Sequence, residues 1–305
     1  MKESDKIKTR CETIRKARHP EMVSLETASK EGFDESFESL YQGGEIPEKE
    51  IQLHSELCGL SEEWRKSVMQ NKSFASFSAD FNMDGFYPYY TCQECKILFV
   101  GREACWLNGG NYIETVCKSI QADNFNGWTV NQYPFHKRQF YIAYGIQKFV
   151  RDGVFPKWED VPWASDMAKR IFAKSDTESG VGDDFGGLCS ISWAFINLSK
   201  LSNNSGNWQI GDTYYKFVDD EENQRFTREE IMKLDPDIII GANVSELADI
   251  LGYEESDKSN KNCHYYLLKD GFPHFLNCWH FSAIKPDKTA FYNPLAKIVQ
   301  KHCKL

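Results

Sequence analysis

The chain has no run of about 18 apolar residues, the length a membrane helix needs, so no spanning segment and no membrane partner are expected. Its first residues, MKESDKIKTRCETIRKARHPE, hold no apolar stretch, so a secretory signal is not expected and a cytoplasmic location is. There is no GxGxxG after the first strong apolar run and no GxxxxGK[ST] anywhere, which sets dinucleotide and P-loop chemistry aside. Basic residues are in deficit, 36 against 45 acidic ones, for a net charge of −9. Phosphate contacts supply most non-specific affinity for nucleic acid, so this balance excludes a large basic footprint. It leaves room for a small cleft with a few local Lys and Arg.

A second CxxC is also missing. Cys92 and Cys95 in TCQEC form half of a zinc or iron–sulfur site, and the spacing of Cys105, Cys117 and Cys189 does not demand that they complete it. Ten cysteines scattered through 305 residues without an export signal read as reduced thiols. No metal and no cofactor are expected.

What is present is ample core material, 41% hydrophobic residues with 21 Phe, 14 Tyr and 8 Trp, so the chain as a whole is not disordered. Residues 1–90 are acidic, with phenylalanines set among serines, and read as a partly helical N-terminal extension that offers a surface to a protein partner. Short helices are expected near 3–17 and 61–70, the second opened by Ser61 as a cap. Residues 91–305 read as one α/β domain. Apolar runs near 96–101, 190–198, 237–241 and 274–280 read as strands, the last paired with HYYLLKD through an Asp-Gly turn. Helical spacing is expected over 111–123, 135–150, 162–174 and 289–302, in NVSELADILG up to Gly252, and in FTREEIMKL, with Thr227 and Glu230 as a capping box. Near-continuous apolar strands separated by helices imply a mostly parallel sheet covered on both faces, a three-layer α/β/α sandwich.

Open sheets of that kind bind ligands beyond the carboxyl ends of their strands. The residues there are Gly101, Arg102 and Glu103 after the first run, Asn197 ending the second, Asn243 after the third, and His280 ending the last. Plain alternatives exist: Glu103 as a cap for the next helix, Asn197 as a turn residue, His280 as a structural histidine. Cys105, just past the first strand, raises a thiol hydrolase with His280 as a further alternative.

The motifs VGREAC, AFINLSKLS and WHFSA resemble, in order and spacing over residues 96–300, those of the uracil-DNA glycosylase superfamily. PDIIIGANVSELADILG is similar to the strand–helix unit before its last motif. The chain departs from the pattern at Ala104 and Phe281, where that family carries prolines. The resemblance implies a glycosylase-like fold and cleavage of a base from its sugar. Glu103 would orient water, and His280 would stabilise the departing base. Asn197 would read the base edge, and Gly101, Arg102, Asn243 and Ser282 would bind the substrate. Single-stranded or damaged DNA, or a nucleotide-like ligand, is the partner it implies. A non-catalytic relative that binds nucleotide or protein is the alternative.

Overall fold

The computed structural model describes residues 21–30, 34–41, 45–105, 107–168, 191–203, 212–257, 260–267, 273–303 and 305. The helix expected over 3–17 and the Asp-Gly turn lie outside these residues, as does the second half of the helix expected over 162–174, whose described part is Ala164–Ala168. A seven-stranded mixed sheet forms the centre. Its strands are β1 (Gly85–Phe86), β2 (Ile97–Glu103), β3 (Ala194–Ser199), β4 (Ile238–Ala242), β5 (Glu254–Asp257), β6 (Cys263–Leu267) and β7 (His274–Cys278). They lie in the order β1-β3-β2-β4-β7-β6-β5.

The four apolar runs became the four central strands, mutually parallel. Every residue of Ala194–Ser199 and of Ile238–Ala242 is buried, as expected for predominantly apolar runs covered on both faces. Each fully buried Ile, Leu or Phe contributes about 1.5–3 kcal/mol. The flanks differ from the mostly parallel expectation: β1, β6 and β5 pair antiparallel, so in this sheet three of the six pairings are parallel. Tight hairpins can join only antiparallel strands, and the short connections between β5, β6 and β7 leave no room for a crossover helix.

One face of the sheet carries Phe99, Gly101, Phe195 and Asn197. Tyr112 from helix α2 (Tyr112–Gln121) and Phe140 from α3 (Pro134–Asp152) pack there on Phe195 and Trp193 respectively. On the other face Arg102 lies against Tyr214 of α4 (Asp212–Val218). Helix α5 (Glu221–Leu234) follows, then α6 (Glu246–Leu251), capped by Gly252 at φ 73°, and α7 (Asn293–His302).

The expected start of the helix near residue 61 was wrong. The helix, α1, runs from Glu48 to Gln70, and Ser61 sits inside it. Its buried side is Glu50, His54, Leu57, Leu60, Trp64 and Val68, helical in spacing, but two of the six are polar, which hid the stripe. Trp64 stacks on Phe226 of α5 at 5.3 Å and its Nε1 donates to Asn223 at 2.7 Å. Residues before 91 therefore build part of the main body, since β1 pairs with β3 and α1 packs on α5.

Glu50 ties this region down. Its carboxylate accepts from Tyr41 Oη (2.6 Å), from the backbone N–H of Tyr89 and Thr91, and from Thr91 Oγ1. Burial nevertheless raises it to about 7 against these donors. An unfolded glutamate ionises near 4.5, so between about 4.5 and 7 the folded state holds the extra proton and loses stability as pH rises. In urea titrations the advantage of wild type over Glu50→Gln should shrink across that window and then level off. An advantage that grows with pH contradicts the assignment.

Candidate functional site

The strand-end residues do gather at one edge. Gly101 and Asn197 are register partners on β2 and β3, and Glu103 is opposite Ser199 two residues further on. Alternation puts Gly101, Glu103 and Asn197 on the same face. A Cβ on Gly101 would stand 2.8 Å from Asn197 Oδ1 and 2.9 Å from the Phe195 ring, so only glycine lets the amide sit over β2. Gly101→Ala should cost about 1–3 kcal/mol in urea denaturation, the usual cost of overpacking. A neutral result would mean the amide is free to move away.

Asn197 is buried and held by a carboxylate that sequence reasoning missed. Asp84, fully buried, accepts from the Asn197 backbone N–H at 2.7 Å and from its Nδ2 at 3.1 Å. The same carboxylate accepts from Lys200 Nζ at 2.7 Å, and Lys200 also donates to Glu230 at 2.7 Å. Burial alone would lower the Lys200 ammonium, but the two carboxylates outweigh it and raise it. The bond to Asp84 fixes which way the Asn197 amide points. One Nδ2–H and Oδ1 remain for an external partner.

Glu230 therefore does not cap a helix. The helix starts at Glu221 with Asp220 as its cap, and the Thr227 hydroxyl donates back to Asn223 O within it. A Thr–Glu spacing of three occurs inside helices as readily as at their starts.

Glu103 does not cap α2 either; Asn111 does, accepting from the Glu114 N–H at 3.0 Å. The Glu103 carboxylate accepts from Asn203 Nδ2 at 3.1 Å and from Arg102 Nε at 3.3 Å. These two donors hold it still and leave lone pairs unused. Arg102 lies 4.1 Å over the Tyr214 ring, with its buried Nη2 unpaired.

His280 follows β7 in the loop 279–286. Its Nδ1 accepts from the Ser282 backbone N–H at 3.2 Å, which leaves the proton on Nε2 of the neutral ring. Burial, then the charges of Arg102 and Arg138, lower His280 to about 4, so the ring is neutral at pH 7. Arg138 of α3, itself buried, fastens the loop: it donates to the carbonyls of Phe281, Ala283 (2.9 Å) and Lys285 (2.8 Å), and to Asp287 at 2.8 Å. Phe281, standing where the resembled motif has proline, is buried against Phe99 and Phe291. Sequence reasoning missed Arg138, which reads as one of several charges in FHKRQ.

Phe135 joins the two halves of the edge. Its ring is 5.9 Å from Phe195 and 5.5 Å from His280. Asn243 stands exposed at the end of β4, in the left-handed region at φ 60°, its N–H donating to Cys278 O. Ser282 is exposed and spends its N–H on His280. The LNGGN turn is stitched inward: Asn108 N–H donates to Ser202 and Gly109 N–H to Asn82.

Cys105 is exposed overall, yet burial of its thiol and the nearby Glu103 push it above its ordinary value. A nucleophilic cysteine needs the opposite shift. Cys92 ends a short 3-10 turn and Cys95 is buried. Among the described residues no three His, Cys, Asp or Glu side chains gather as a metal site would require. No family model, no curated protein and no solved structure matches the chain.

Proposed function

We propose that the chain hydrolyses the N-glycosidic bond of uracil or a related damaged base, on a three-layer α/β/α frame of uracil-DNA glycosylase type. The observation that carries this reading is the Phe135 ring, set between Phe195 and His280 on the edge that also bears Asn197 and Glu103. It supplies a stacking surface between an amide suited to a base edge and a neutral imidazole suited to a departing one. The frame itself is a mixed α/β fold in which four parallel strands bring these residues to one side.

The chemistry follows from the charges that develop. As the bond from C1′ to the base nitrogen breaks, its electron pair goes to the base and positive charge builds on the sugar. Glu103 stabilises that sugar, orients the water whose oxygen bonds to C1′, and accepts the proton that water sheds, which returns through solvent to the departed base. His280 Nε2–H donates to the oxygen of the base as it becomes anionic; a neutral ring suits this because it gives a hydrogen bond without losing its proton. Asn197 offers one donor and one acceptor to the base edge. Ile284, fully exposed four residues beyond His280, is an apolar side chain free to enter the base stack while the target base is out of it.

A nucleotide-binding relative without catalysis is the second reading, favoured by the ion pair that occupies Glu103. Two results separate them. Base release should show no loss from His280 titration until pH falls toward about 4, where Nδ1 gains a proton and the ring loses the Ser282 N–H bond that orients it. Asn197→Asp should change the ratio of rates between uracil and hypoxanthine, not lower both equally. A profile that breaks near 6.5, or an unchanged ratio, counts against these roles.

A further inference from the structure

Beyond β7 and α7 lies a cleft of about 770 Å³ that no step above uses. Lys261, Lys297 and Lys301 line it, with the amides of Asn260, Asn262 and Asn293 between them. The one carboxylate in its lining, Asp257, is neutralised already: Lys301 Nζ and His302 Nε2 each reach it at 2.7 Å. Lys261 and Lys297 are exposed and form no ion pair among the described residues. In a chain with nine more acidic than basic residues, two unpaired lysines facing one amide-lined cleft create a local field opposite to the protein's own.

The cleft is tied to the candidate site. Asn262 Oδ1 accepts from Trp279 Nε1 at 2.9 Å, and Trp279 directly precedes His280. The half-exposed Trp279 ring has Lys285 Nζ 4.2 Å above it. The lysines present charged donors suited to phosphate oxygens, and a half-exposed ring beside them offers a surface for stacking; together these are the parts of a single-strand binding groove.

We propose that this cleft holds the phosphodiester backbone of a single-stranded segment flanking the target base, which leaves His280 across Trp279. The choice of a nucleic acid rests on the reading of the site given above, and the shared chemistry with any free phosphate is the oxyanion. Fluorescence anisotropy of a labelled oligo-dT of about 12 nucleotides, titrated between about 50 and 200 mM salt, tests it. The double variant K261E/K297E should bind at least about tenfold more weakly, with the slope of log K against log salt reduced by about 1.4, as for two lost single-strand phosphate contacts.

Both lysines are exposed, and K261Q/K297Q, which adds no negative charge, should show the same reduced slope if the reversal disturbs folding. Unchanged affinity and slope in the double variants overturn the proposal, as does a wild-type protein that binds no oligonucleotide. Displacement by inorganic phosphate as effective as displacement by the strand overturns the assignment to a backbone. Lysine-dependent binding by a protein that releases no base leaves the cleft standing and removes only the hydrolase.

Discussion

Glu103→Gln is expected to slow base release by about 10²–10³-fold while the Kd for the same oligonucleotide stays within about twofold, the loss typical of removing one electrostatic stabiliser of a transition state. The substitution keeps the shape and removes the charge. Asn203 Nδ2 can still donate to the remaining oxygen, but Arg102 Nε then faces an amide and loses its ion pair. The cost falls on the chemical step because the sugar carries positive charge only while the bond is breaking. His280→Ala should behave alike, since the base becomes anionic only in that step. Single-turnover rates set beside equilibrium binding separate the two effects. A variant that loses binding and rate together would place Glu103 in the ground-state contacts instead.

Lys200→Met should destabilise the protein by about 3–5 kcal/mol in urea denaturation, the range seen when one partner of a buried ion pair is removed. Lys200 is fully buried, 5.1 Å from the Trp64 ring, and neutralises both Asp84 and Glu230. Methionine fills much of the space and leaves two carboxylates buried together. Glu230→Gln should cost less, because Lys200 then keeps Asp84 and an amide needs no counter-charge. Asn197 shares the fate of Asp84, so Lys200→Met should also blur base preference at temperatures where the variant remains folded. If the two substitutions cost the same, the lysine is not the common partner of both carboxylates.

The parts of the fold that were legible are those where one residue type forces one environment. IIIGA, and AFI ahead of Asn197, read as central strands because nothing in them gains from water. Strand ends follow from strand positions, which is why Gly101, Glu103, Asn197 and His280 emerged together. The charged interior was opaque for the opposite reason. Asp84, Glu50, Lys200, Glu230 and Arg138 look like surface residues in sequence, and only their tertiary partners make burial tolerable. The same ambiguity hid the first half of α1, where Glu50 and His54 occupy buried turns. The antiparallel flank was half visible, since β6 and β7 read as a hairpin while the short β5 carries three acidic residues and no apolar signal.

The central claim is tested most directly by incubating the wild-type protein with single- and double-stranded oligonucleotides carrying uracil, hypoxanthine or a mismatch, and measuring free base. Release of free base from at least one of them, lost in Glu103→Gln and in His280→Ala, is the predicted result. Wild-type protein that binds these oligonucleotides and releases no base from any of them would contradict it.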